Sequence, residues 1–129
     1  MREPTFLDLD EVLEIHRDAI ERYGGSHGVR DLGLLQAALA MPGAGVGGQY
    51  FHSDLQEMAA AYLFHIAKNH PFVDGNKRTA AVTAFVFLRM NGLTLEAPGR
   101  SYEDFVCSVA QGTETKATAA EFIRKHCRP

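Results

Sequence analysis

Ten consecutive residues, His70-Pro71-Phe72-Val73-Asp74-Gly75-Asn76-Lys77-Arg78-Thr79, hold most of the chemistry this chain can offer. His70 supplies a group that accepts a proton near neutral pH. Asp74 supplies a hard oxygen of the kind Mg²⁺ prefers; that ion takes one or two carboxylates and completes its shell with waters and substrate phosphates. Lys77 and Arg78 stand side by side where a long apolar helix must begin. Cations there oppose the helix dipole, so their placement favours a ligand over the helix. The first turn of a helix also presents unpaired N–H groups, and Gly75 removes a side chain where backbone could approach a phosphate. The set amounts to an anion cradle formed by the open helix start with Gly75, Lys77 and Arg78, a base at His70 and a cation ligand at Asp74. Phosphoryl-type transfer needs little else: positioning, charge neutralisation and a proton acceptor.

Two other phosphate and hydrolase chemistries are excluded. Gly75-Asn76-Lys77-Arg78-Thr79 lacks the Gly-Lys-Ser/Thr adjacency of a P-loop, and no strand precedes it. His65 and His70 are five residues apart, so no His-Glu-x-x-His zinc face exists. Taken singly, the residues have plainer readings: a loop histidine, an Asp-Gly turn, a solvated basic pair. Their concentration at the start of an apolar helix is what argues for chemistry.

The elements that must hold this loop read as helices. Leu9, Val12, Leu13, His16, Ala19, Ile20 and Tyr23 recur at three- and four-residue steps, which predicts an amphipathic helix over 8–23, with His16 at the edge of the core. Acids crowd its first half and Gly24-Gly25 stops it. A second helix is expected from the cap Asp31 to about Met41, burying Leu32, Leu35, Ala38 and Leu39. The glycines from Gly43 to Gly48 predict a mobile loop. Ser53 with Gln56 reads as a capping box for a third helix, 54 to about 69. A fourth, about Asn76 to Asn91, is apolar on nearly every side, as expected of the helix at the centre of a bundle. A fifth helix capped by Ser101 ends at Gly112, and a sixth starts near Thr115 or Thr118. The expected fold is all-α: one compact helical-bundle domain over residues 1–129.

Composition sets the outer bounds. The chain has 129 residues, 46% of them apolar and 22% charged, which is globular rather than disordered. A net charge of −3 argues against nucleic acid as the main partner. Two cysteines without C-x-x-C spacing fit a reducing cytoplasm, and no signal sequence or membrane-length apolar run is present. The total hides an asymmetry: seven of the sixteen acids lie in the first 21 residues, whereas Lys68, Lys77 and Arg78 surround the His70 loop.

His-Pro-Phe-x-Asp-Gly-Asn-Lys-Arg, residues 70–78, resembles the signature of the Fic/Doc superfamily. Lys77 resembles the Doc (death-on-curing) branch, where Fic adenylyltransferases carry a glycine. Tyr23-Gly24-Gly25-Ser26-x-Gly28-Val29-Arg30-Asp31-x-Gly33-Leu34-Leu35 extends the likeness over nearly the whole chain. The resemblance implies a toxin of a type II toxin–antitoxin module, a kinase that moves the γ-phosphate of ATP onto a threonine of elongation factor Tu. It implies His70 as the base for the target hydroxyl, Asp74 as the Mg²⁺ ligand, and Gly75, Asn76, Lys77 and Arg78 as phosphate binders. Phe72 becomes the loop's inward anchor. Residues 24–31, with Arg30 and Asp31, would form a flap for the target peptide, although a helix-start Arg-Asp pair is an equal structural explanation. The implied partners are an antitoxin with a disordered tail and a translation factor, with neither membrane nor nucleic acid involved. Two alternatives stay open: a Fic-like nucleotidyltransferase that adenylylates a protein hydroxyl, and an idle helical binding module.

Overall fold

A computed structural model describes residues 3–129. Helix α1 (Leu9–Tyr23) begins at Asp8, whose carboxylate accepts the Glu11 N–H while Glu11 accepts the Asp8 N–H. This reciprocal cap satisfies two of the amide donors that every helix start leaves free. α1 buries Val12, His16, Ala19 and Ile20, then stops at Gly24. An extended segment leads to α2 (Leu32–Ala40), capped by Asp31 as the sequence predicts. Leu35 and Ala38 are buried, but Leu32 is 49% exposed. It sits at the open first turn, before the apolar stripe has rotated onto the core.

The glycine-rich stretch is ordered as a small hairpin rather than a loop: β1 (Gly45–Val46) pairs antiparallel with β2 (Gln49–Tyr50). Gly47 and Gly48 both have positive φ, which a two-residue hairpin turn of this hand demands. Helix α3 (Leu55–Asn69) is capped by Asp54, not Ser53; the carboxylate accepts the Glu57 N–H. Ser53 instead bonds the Glu57 carboxylate through its N–H and hydroxyl.

The centre of the bundle is α3, which corrects the expectation for the fourth helix. Met58 through Leu63, with Ile66 and Ala67, are buried, and α2, α4 (Asn76–Met90), α5 (Ser101–Gln111) and α6 (Lys116–His126) all pack on it. The alanines at 59, 60, 61 and 67 explain this, since small side chains let neighbours approach from every direction. α4 is buried on one side only (Thr79, Ala80, Thr83, Ala84, Phe87, Leu88), and Val82 and Phe85 are partly open to solvent.

The C-terminal part closes on itself. β3 (Thr94–Leu95) pairs antiparallel with β4 (Cys127–Arg128), which directly follows α6. Thr115 caps α6 reciprocally with Thr118. Ser101 is the first residue of α5 and its hydroxyl donates to Pro98 O, so it is not the side-chain cap the sequence suggests. The fold is all-α apart from these short strands, and no helix among the described residues is long and apolar enough to cross a membrane.

Candidate active site

The loop from His70 to Gly75 joins the C-terminus of α3 to the N-terminus of α4. α3 ends on His70 in the left-handed conformation (φ 52°, ψ 53°), the one non-glycine residue with positive φ among those described. Such a position is costly for a residue with a Cβ and persists only where its surroundings hold it. Arg30 does much of the holding. Its Nε donates to His70 O at 2.7 Å and its Nη2 to Asn69 O at 3.0 Å, placing a cation on the carbonyl end of α3. The backbone N–H groups of Arg30 and Asp31 both donate to Pro71 O, and Val73 N–H donates to Gly28 O. Residues 28–31 thus strap the loop in place through a bridge between Val29 and Phe72. The Arg30 and Asp31 side chains, read above as part of a peptide flap, are committed here to the α3 carbonyls and to the α2 cap.

Inside the loop, Asn76 and Phe72 form the scaffold. The Asn76 carbonyl accepts Phe72 N–H at 2.9 Å, and its amide donates to Phe72 O at 3.0 Å. The same amide lies 3.2 Å from His70 Nδ1. Asn76 is 4% exposed, so its side chain organises the loop while its backbone N–H stays in the open first turn of α4. Phe72 is fully buried, as expected of an anchor, and its ring lies flat on the His16 imidazole (centroids 3.9 Å apart, planes 6° apart).

The remaining groups face outward. Asp74 is exposed; its Oδ1 accepts Gly75 N–H at 2.9 Å and its Oδ2 accepts Ser26 N–H at 3.2 Å. Each carboxylate oxygen retains lone-pair capacity for a cation. Gly75 is the N-cap of α4 and makes no side-chain cap, so the amides of Asn76, Lys77 and Arg78 have no capping acceptor. Lys77 and Arg78 are exposed beside them, with the Arg78 guanidinium stacked on the Tyr23 ring, 3.5 Å from its centroid. No group of three or more His, Cys, Asp or Glu side chains among the described residues could enclose a metal. A single exposed carboxylate beside an uncapped helix start suits Mg²⁺ that shares phosphate oxygens, and does not suit an all-protein metal cage.

Sequence reasoning did not find three contributors. His16 reaches the loop from α1, its Nε2 2.8 Å from Asp74 O. Ile20 Cδ1 packs where a Gly75 Cβ would stand, at 3.0 Å. Gly25 lies so close that an added Cβ would be 2.7 Å from Asp74 Oδ2. In the sequence Gly25 reads as a helix stop and as one residue of the 24–31 flap, and His16 as one member of an apolar stripe; nothing local points either of them at Asp74. His52 and His65 belong elsewhere. His65 Nε2 is 3.2 Å from Lys116 Nζ, and His52 and Lys116 line a cavity against α6 together with Glu57 and Arg124. Burial, and then Lys116, hold both imidazoles below their usual range, His65 at about 4.

Comparison with known proteins places this geometry in company. The family model described as Fic/DOC matches residues 6–88. The chain is 47% identical over 92 residues to a protein named toxin Doc from Mycolicibacterium smegmatis, covering 71% of this chain and 68% of that one. It is 34% identical over 117 residues to the protein kinase doc of Escherichia phage P1, covering 90% of each. The residues matched by the family model include the strap, the loop and most of α4.

Proposed function

The chain belongs to the Fic/Doc family, and from that membership we propose a Doc-type toxin that phosphorylates a protein hydroxyl using ATP. The observation that supports this reading most is the loop itself. One exposed carboxylate, three uncapped amides and two cations converge on the start of α4, with a histidine held at the other end of the same turn. Relatives named as a toxin and as a protein kinase support the same reading.

The chain's own residues divide the work. The amides of Asn76, Lys77 and Arg78, with the Lys77 and Arg78 side chains, hold the phosphates of ATP and offset their charge. Asp74 would hold Mg²⁺, which supplies charge neutralisation between phosphate oxygens. Asn76 donates to His70 at Nδ1 and so leaves Nε2, which carries the ring proton at rest, as the nitrogen without a protein partner. After the ring exchanges to the tautomer that carries its proton on Nδ1, His70 takes the hydroxyl proton at Nε2, and the hydroxyl oxygen attacks the γ-phosphorus as ADP leaves. Lys77 occupies the position where a glycine would leave room for phosphates to lie deeper, and this favours γ-phosphoryl over adenylyl transfer. The target is a translation factor, elongation factor Tu first, and the restraining partner is a cognate antitoxin acting in the cytoplasm.

Incubation with bacterial lysate and ATP labelled at either the α or the γ phosphate tests the reading. Protein labelled from γ alone is expected. Label from α would establish adenylyl transfer, and no label from either would leave a binding module.

A further inference from the structure

His16 is 4% exposed on the inward side of α1, and its contacts are directed at the motif loop. Its Nε2 stands 2.8 Å from the main-chain oxygen of Asp74. A carbonyl only accepts, so Nε2 carries a hydrogen and donates. The Asp74–Gly75 peptide is therefore gripped at both ends: its oxygen by His16, its N–H by Asp74 Oδ1 at 2.9 Å. The grip matters because of the residue that follows. Gly75 sits at φ 77°, ψ 19°, and glycine visits both signs of φ at similar cost, so little in its own backbone keeps this peptide from turning over. Turned over, it would exchange N–H for carbonyl at the mouth of α4, where an anion needs donors. A histidine that merely filled the core would leave this oxygen to solvent, and Phe would pack on Phe72 equally well.

We propose that His16 is a positioning residue for the transfer reaction: through Nε2–H it locks the Asp74–Gly75 peptide, and so fixes the Asp74 carboxylate and the first-turn amides of α4 toward a metal-bound nucleotide phosphate. This rests on the transferase reading above, and the lock itself is measurable without it. Two donor-free variants, H16F and H16M, fill the space; H16Q places an amide N–H near the position of Nε2. Calorimetry with Mg²⁺·ATP, the separate kcat and KM of transfer, and hydrogen exchange of the Gly75 amide are read on each folded protein. H16F and H16M bind Mg²⁺·ATP about tenfold more weakly, the scale of one site hydrogen bond, and exchange the Gly75 amide faster; H16Q recovers most of both. Unchanged nucleotide affinity and unchanged Gly75 exchange in the donor-free variants would overturn the proposal, as would an H16Q no better than they are. If the wild-type protein binds no Mg²⁺·ATP, the transferase reading fails, and Gly75 exchange alone decides the lock: faster in H16F and H16M and restored in H16Q upholds it, unchanged overturns it.

Discussion

The side-chain amide of Asn76 lies 3.2 Å from Nδ1 of His70, and it can only donate there. Its oxygen is taken by Phe72 N–H and its second N–H by Phe72 O, so the amide cannot be turned around without setting like against like. Neutral His70 in this arrangement carries its proton on Nε2, the nitrogen that must later accept one. In the proposed reaction, proton acceptance from a target hydroxyl would require tautomer exchange, after which the Asn76 donor would face a second donor at Nδ1. Nitrogen-15 NMR of the neutral imidazole should show the Nε2–H tautomer in the protein alone. A resting signal with the proton on Nδ1 would contradict this.

The left-handed backbone of His70 separates its chemical value from its structural cost. His70→Ala should lower transfer by about 10²–10⁴-fold, the range for loss of a general base. His70→Gly should lose the same activity yet be more stable than His70→Ala by roughly 1 kcal/mol, since glycine adopts φ 52° without strain. Urea unfolding of the two variants checks the order. A less stable glycine variant would show that the positive φ carries no strain.

Gly25 is required by a close approach. At φ 116°, with an added Cβ only 2.7 Å from Asp74 Oδ2, alanine is disfavoured by its backbone and by the carboxylate together. Gly25→Ala should cost about 1–2 kcal/mol of stability and raise the Mg²⁺ concentration needed for half-maximal activity. Gly24→Ala has open space around its Cβ and changes only the backbone, so it is the control. Equal Mg²⁺ dependence in the two variants would remove Gly25 from the site.

The loop was legible in the sequence because its groups lie within a few residues of one another, and helix starts such as Asp31 carry their caps in plain view. Asp8 reads only as an acid within the first helix, and Thr115 as one of two possible starts, although both prove to be caps. What the sequence could not show is which distant side chains converge on the loop. Arg30 lies 40 residues from His70, and His16 lies 58 from Asp74; their directions follow from packing, which no local pattern encodes. The centre of the bundle was misplaced for a related reason. A helix apolar on nearly every side beyond its first turn, such as α4, looks buried by composition, whereas the alanines of α3 decide which helix the others can surround.

The His65 imidazole, held at about 4 by burial, Lys116 and His52, links stability to pH. The unfolded chain protonates this ring below its ordinary 6.5, and the folded chain does so only near 4. Protonation therefore favours unfolding in that window, and stability falls as pH drops through it, by the order of 2 kcal/mol once partial solvent screening is allowed for. His65→Gln keeps an acceptor for Lys116 and does not titrate. Its urea-derived stability should decline less than the wild type's between neutral pH and pH 4. Parallel profiles would contradict the assignment.

The mass of a purified target tests phosphoryl transfer by the His70 loop most directly. Elongation factor Tu is incubated with this protein, ATP and Mg²⁺, digested, and its hydroxyl-bearing peptides are weighed. One peptide heavier by a single phosphate is expected, absent with His70→Ala and with ATP omitted. A peptide heavier by AMP, or the same phosphate appearing with His70→Ala, would contradict that expectation.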